Sequence, residues 1–179
     1  MKERNRILNL VLTAVMAALV LIATNIIHLP SFGPSGYVNL GDAFVLLSVL
    51  FLGPLYGGLA GGLGSALADI LSGYAVFAPG TFVIKFLMGV AAGLIVKLFK
   101  SKDINVFSYG VGAIVGEVIM VFGYFVYEAF VLGYGMAAAA GIISNSFQAV
   151  VNVVLFLALT VAVKKSNAKT LITEKIQLK

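Results

Sequence analysis

The sequence predicts an all-α membrane protein, about six transmembrane helices packed in one compact bundle with both termini in the cytoplasm. Three observations predict it. Mean hydropathy is +1.08, 61% of the 179 residues are hydrophobic and only 11% are charged, whereas a soluble domain carries roughly a quarter charged residues. Long charge-free runs approach the about 20 apolar residues that one membrane crossing needs. Eleven of the twelve Lys and Arg fall in three short clusters (Lys2, Arg4, Arg6; Lys97, Lys100, Lys102; Lys164, Lys165, Lys169, Lys175, Lys179). Each cluster flanks an apolar run, so the net charge of +5 reads as membrane topology and not as a nucleic-acid surface.

The first span is Ile7–Ile27. It follows a basic start, as a signal peptide does, but the later apolar runs and the lack of a small-x-small cleavage site favour a retained helix. The next run, GDAFVLLSVLFLGPLYGGLAGGLGSALAD, is charge-free from Ala43 to Ala68. Its length permits one long tilted helix, but Gly53-Pro54 lies in the middle, and proline removes a helical hydrogen bond. Parity decides further. One crossing would place the Lys97–Lys102 cluster opposite the N-terminal cluster; a hairpin leaves all three on the cytoplasmic face. The run is therefore read as two passes, with Asp42 and Asp69 near the outer surface. Ala43 to Leu52 makes only about 15 Å of helix, so the first limb either continues past Gly53 or is partly re-entrant. Gly80–Phe99, interrupted by Lys85, Phe107–Phe130, carrying Glu117 and Glu128, and the charge-free Ala137–Val163 complete the set. The outer loops are then His28–Gly41, Leu71–Pro79 and Leu132–Met136, the first being rich in turn formers. No linker or low-complexity segment divides the chain, so residues 1–179 are read as a single integral membrane domain. No internal repeat is evident, which weakens an inverted-repeat carrier.

Several chemistries are disfavoured. With no cysteine there is no disulfide framework or thiolate metal site, and a single histidine, His28, leaves no His cluster for a metal and makes a catalytic triad improbable. No GxxxxGK[ST] loop is present, so the chain is not expected to hydrolyse ATP. GVGAIVG (Gly110 to Gly116) has the wrong spacing for a dinucleotide loop and is read as helix packing. No enzyme activity, catalytic residue, metal or cofactor is expected.

The polar residues of the spans concentrate in their outer half. Asp42, Asp69 and Glu128 lie near outer helix ends, Lys85 about 8 Å and Asn145 about 12 Å below them, and only Glu117 and Asn152 approach the midplane. Intramembrane ionisable groups are costly and mark function by default. Asn145, Gln148 and Asn152 share one helical face at i, i+3, i+7, and Glu117, Tyr124 and Glu128 share another at i, i+7, i+11. Turned inward with Lys85, Asp69, Asp42, Asn39 and Tyr74, these stripes could line an outward-opening pocket suited to a small, polar, ring-shaped ligand. The plainer alternatives are an ion pair of Lys85 with Asp69 or Asp42, interhelical hydrogen bonding by Asn145, Gln148 and Asn152, interfacial positions for His28 and Glu128, and an N-cap role for Asp42.

Small residues recur at four-residue spacing: Gly57, Gly61, Ser65; Gly58, Gly62, Ala66; Gly89, Gly93; Gly112, Gly116. They are read as close helix packing. Ala14 and Ala18 on the first helix either pack internally or present a flat strip to another membrane subunit.

These features are similar to those of the substrate-binding S components of energy-coupling factor (ECF) vitamin transporters. The resemblance covers most of the chain: about 180 residues, six helices, a long outer first loop, and Ala14-x-x-x-Ala18. YVNLGDAFVLLSVLFLGPLYGGLAGGLGSALADILSGY followed by APGTFVIKFLMGVAAG resembles the riboflavin-type, hydroxymethylpyrimidine and pyridoxine subgroup. The resemblance implies a multi-pass protein of a bacterial plasma membrane, surrounded by membrane lipid, that binds a vitamin or vitamin precursor in an outward pocket. It implies docking through Ala14 and Ala18 onto a transmembrane coupling subunit driven by two ATPase subunits. It assigns the ligand to Asn39, Asp42, Asp69, Lys85 and the polar stripes of the last helices. A pocket of carboxylates, a lysine and tyrosines suits a hydroxylated pyridine or aminopyrimidine, and there is no tryptophan to stack on a flavin. Pyridoxine or hydroxymethylpyrimidine is therefore the expected substrate, with riboflavin next. The rival reading is a self-sufficient ion-coupled small-solute carrier that uses Glu117.

Overall fold

A computed structural model describes residues 2–26, 29–30, 37–99 and 104–166. The apolar runs form five long helices: α1 (Lys2–Ile26), α2 (Gly41–Leu71), α3 (Ala78–Leu98), α4 (Val106–Val126) and α5 (Ala139–Ser166). The second is two limbs joined at Gly53, whose φ of 76° and ψ of −175° suit glycine alone. Pro54 opens the second limb, where its missing N–H has no helical acceptor to serve. The limbs run back to back: a Cβ added to Gly57 would lie 2.5 Å from Val49 Cα, and one on Gly61 2.5 Å from Val45 Cγ1. The run is a hairpin, which makes six α-helical segments among the described residues.

Its first limb, 41–52, is about 18 Å long at 1.5 Å per residue, short of the roughly 30 Å hydrocarbon thickness. Its start lies beside Lys85, about 10 Å into α3, where Asp42 pairs with the ammonium. Just past its end, Pro54 packs on Gly93, five residues before the end of α3. The limb is therefore contained within the depth of the bundle and does not continue past Gly53. The chain reaches it through a two-residue antiparallel ladder of β1 (Leu29–Pro30) and β2 (Tyr37–Val38), paired Leu29 to Val38 and Pro30 to Tyr37. His28 and residues 31–36 of the loop lie outside the described residues, as do Lys100, Lys102, Lys169, Lys175 and Lys179.

Small residues set the helix contacts. Gly64 of α2 lies under Ala17 and Val20 of α1, Gly62 under Phe82 of α3, Gly112 and Gly116 of α4 against Ala92 and Met88. Tyr109 of α4 meets Phe156 of α5 edge-on, centroids 6.2 Å apart. Around Leu46, Leu50, Met88, Met120 and Phe156 the core is closed. Outward faces are apolar, as lipid contact requires: Ile114, Val118, Phe122 and Val126 are exposed at four-residue intervals on α4. The start of α1, Gly53, the end of α3, the start of α4 and the end of α5 gather at one end, with Lys97, Lys164 and Lys165 in the last turns there. This is the basic end; the cavity described below lies at the other.

Helix starts explain part of the register. Asn105 caps α4, its side chain accepting from the N–H groups of Phe107 (3.1 Å) and Ser108 (3.4 Å), and Pro79 lies in the first turn of α3. The expected N-cap role of Asp42 is corrected: Leu40 occupies the cap without a side-chain bond, and the Asp42 carboxylate turns away to Lys85 and Gln148.

Because Gly57 touches the Val49 backbone, Gly57→Leu is expected to destabilise the fold by about 1–3 kcal/mol through overpacking. Gly110→Ala, whose added Cβ meets nothing closer than 3.5 Å, is the control. Thermal unfolding in detergent should show a lowered midpoint for the first and none for the second.

Candidate functional site

The site is built on a buried polar knot. Asp42, in the first turn of α2, accepts from Lys85 Nζ of α3 through one oxygen and from Gln148 Nε2 of α5 through the other, the latter at 2.6 Å. Gln148 Oε1 in turn accepts the backbone N–H of Asn39 at 2.9 Å. One turn further along α5, Asn152 Oδ1 accepts from the Ala43 N–H, while Nδ2 donates to the carbonyls of Asn39 and Gln148, each at 2.9 Å. Asn39 Oδ1 accepts from the Gly41 N–H at 2.8 Å and tightens the turn into α2. Asp42, Lys85, Gln148 and Asn152 are each at most 2% exposed, so every member needs its partners. The knot fastens the descending loop, α2, α3 and α5 at one depth.

Above it a recess opens at the end opposite the basic end. Tyr37 and Asn39 of the descending loop form one wall, with Asp69 from the end of α2 beside them. Tyr74 and Phe77 of the α2–α3 connection and Thr81 of α3 form the next. Tyr124 and Glu128 close the side of α4, and Asn145 and Gln148 that of α5. The aromatic residues form a belt, with Tyr37 and Tyr74 rings 4.9 Å apart and Tyr74 and Phe77 6.4 Å apart. Tyr37 donates its hydroxyl to Asp69 Oδ1 at 2.7 Å. Burial, then the Asp69 carboxylate, push that hydroxyl above the ordinary tyrosine range, so Tyr37 stays a neutral donor. The Tyr124 and Thr81 hydroxyls lie 2.9 Å apart, and Lys85 Nζ lies 5.3 Å from the centre of the Tyr124 ring, a cation–π contact from below. Glu128 stands in a π-helical turn, Tyr127–Val131, that continues α4, where the Leu132 N–H reaches the Tyr127 carbonyl at 3.0 Å. Such turns often mark functional positions. The recess measures about 40 Å³, room for a few waters.

Of the residues singled out by sequence, Asn39, Asp69, Tyr74, Tyr124, Glu128, Asn145 and Gln148 come together around the recess. Asp42, Lys85 and Asn152 lie in the knot beneath it. Glu117 lies deeper and lines a separate, mostly apolar cleft of about 480 Å³ between α4 and α5, with Ile114, Val118, Val121 and Phe122 of its own helix. Its carboxylate oxygens are buried and accept no hydrogen bond from the described residues. Ala14 and Ala18 are on the exposed face of α1, whereas Thr13, Met16, Ala17 and Val20 face inward. Sequence reasoning missed Tyr37, Phe77 and Thr81. Tyr37 lies two residues before Asn39 in a turn-rich loop, which is a usable signal; Phe77 and Thr81 carry none, since both are ordinary in an apolar helix start.

Long apolar helices around a recessed, aromatic and polar cavity at one end define a multi-pass membrane protein with an enclosed polar site. Comparison with known proteins specifies the family. A family model for the ECF-type riboflavin transporter S component matches residues 4–165, and the chain belongs to that family. A solved structure reported as the S component of a bacterial ECF transporter matches with a TM-score of 0.63 and 23% identity, over 86% of this chain and 94% of that one. This second likeness shows the shared fold. A Pyrococcus woesei protein described as an uncharacterized protein in the gap 3' region is 45% identical over 74 residues, 41% of this chain. That match spans about half, 49%, of the relative's own length.

Removing one member of the knot should expose its cost. Lys85→Met leaves the buried Asp42 carboxylate without its counter-charge and is expected to destabilise by about 3–5 kcal/mol. Adding Asp42→Asn should recover most of the loss, because the charge is gone while an acceptor for Gln148 remains. Thermal unfolding of both variants in one detergent measures the difference.

Proposed function

We propose that this protein is the substrate-specificity subunit of an ECF-type importer, which binds a vitamin or vitamin precursor from outside the cell and passes it inward when docked to a coupling subunit with two ATPase subunits. The observation that carries this reading is the recess at the end opposite the basic end, with aromatic rings and hydrogen-bonding groups converging from the loop, α2, α3, α4 and α5. The positive-inside tendency sets the basic end in the cytoplasm of a bacterial plasma membrane and opens the recess to the outside. The family match supports the assignment.

The lining suits a small hydroxylated or amino-substituted ring, such as pyridoxine or hydroxymethylpyrimidine. Tyrosine faces stack on the ring, while Asp69, Glu128, Asn145 and Gln148 meet its polar edge. Riboflavin is the second reading, favoured by the description of the matching family. Either ligand needs more room than about 40 Å³, so Tyr37, above the knot, gives way on binding. Ala14 and Ala18, exposed between the equally exposed Val11, Val15 and Leu19, supply a flat strip on which the coupling subunit docks. The buried Glu117 keeps the ion-coupled carrier as a competitor: uptake in cells without coupling subunits, abolished by Glu117→Gln, would establish it.

Two measurements test the proposal. Native mass spectrometry of the gently purified protein should show a bound mass matching one of these vitamins, and uptake should be negligible without the ATPase module. Ala14→Trp and Ala18→Trp should keep ligand affinity within about twofold, as surface changes away from the site do, while co-purification of the coupling subunit falls. Unchanged assembly in both variants would refute the docking role.

A further inference from the structure

The charge of the recess says more about its ligand than its size does. Among the described residues that line it are two carboxylates, Asp69 and Glu128, and no Lys, Arg or His. The lysine expected to serve the ligand does not reach the cavity surface. Lys85 is 1% exposed and is held beneath the floor by Asp42, against the Tyr124 ring. Its charge and that of Asp42 balance each other, so the knot offers no net charge to Glu128. Glu128 is the sharper case. It is 5% exposed, lines the recess, and its Oε2 is buried with no hydrogen-bond partner among the described residues. Gly141 of α5 backs it closely: a Cβ there would lie 3.2 Å from Oε2. A buried acceptor held in place without a donor is costly unless a ligand supplies one. Tyr37 and Tyr74 also line the cavity, and aromatic rings attract cations through their negative faces.

Resting on the binding role proposed above, we infer that the recess selects an aromatic heterocycle bearing a positive charge, an ammonium or a ring cation, which it sets against Glu128. A neutral ring satisfies the hydrogen bonds of the wall but leaves the carboxylate without a counter-charge. A charge-assisted hydrogen bond exceeds a neutral one by enough to separate otherwise matched ligands by about tenfold.

Four probes decide the matter, titrated calorimetrically at pH 7 into the full-length protein in nanodiscs. Pyridoxamine and pyridoxine share one ring and differ by an aminomethyl for a hydroxymethyl; thiamine is a larger cation and riboflavin a larger neutral ring. The tightest binder should be cationic, about tenfold ahead of its neutral counterpart. In Glu128→Gln that preference should shrink to less than about threefold; a preference that persists in this variant overturns the role of Glu128. If the variant does not fold, the wild-type ranking decides by itself. A neutral probe that binds tightest overturns the charge selection and leaves the binding role intact. No binding by any of the four overturns both.

Discussion

Burying a carboxylate in the low-dielectric interior of a membrane bundle costs several kcal/mol unless opposite charge and donors surround it. Asp42 meets that constraint with Lys85 on one oxygen and Gln148 on the other. Most of the upper half of the molecule follows from it. To place Asp42 beside Lys85, the first limb of α2 must begin well below the membrane surface, and the chain leading to it must descend into the bundle. That descent would strand backbone polar groups in an apolar setting. Gln148 and Asn152 receive them, taking the Asn39 and Ala43 N–H groups and the Asn39 carbonyl. The loop thus becomes a wall of the recess, and Tyr37 and Asn39 reach the place where a ligand would sit.

The limb that hangs from this knot is short because Gly53 turns it early, and the turn works because Gly57 and Gly61 let the limbs touch. Small residues therefore serve the site at a distance. They keep the hairpin thin enough for α1, α3 and α5 to pack around it while the polar groups of α2 stay at cavity depth. The proposed roles fall on separate parts of the bundle. Residues of α1 do not line the recess among the described residues, and its outward face carries the exposed Ala14 and Ala18. A subunit docked on that face would leave the recess walls untouched.

Much of this was legible in the residues. Hydropathy marked the spans, and the charge clusters marked the hairpin, because crossing a bilayer depends on local composition and on charge at the ends of each run. The face shared by Asn145, Gln148 and Asn152 was correctly read as inward, since lipid offers such groups no partner. Its division was not legible: Asn145 and Gln148 line the recess, Gln148 also belongs to the knot, and Asn152 lies in the knot beneath. Glu117, Tyr124 and Glu128 likewise share a stripe, yet only the last two reach the recess. A stripe running from midplane to surface meets different neighbours at different depths, and helical spacing gives direction without depth of contact.

The sequence by itself determined the membrane class, the two-limbed run around Gly53-Pro54, the common side of the basic clusters and the concentration of polar groups toward one end. Each depends on residues close in the chain or on a rule that acts on the run as a whole. Only the tertiary structure decided which acid Lys85 would neutralise, which amides would close the descending loop, and that Phe77, Thr81 and Tyr37 would share a cavity with Glu128. Those outcomes rest on contacts between residues tens of positions apart, such as Asp42 with Gln148 and Ala43 with Asn152. Three-dimensional packing alone brings such groups within hydrogen-bonding distance.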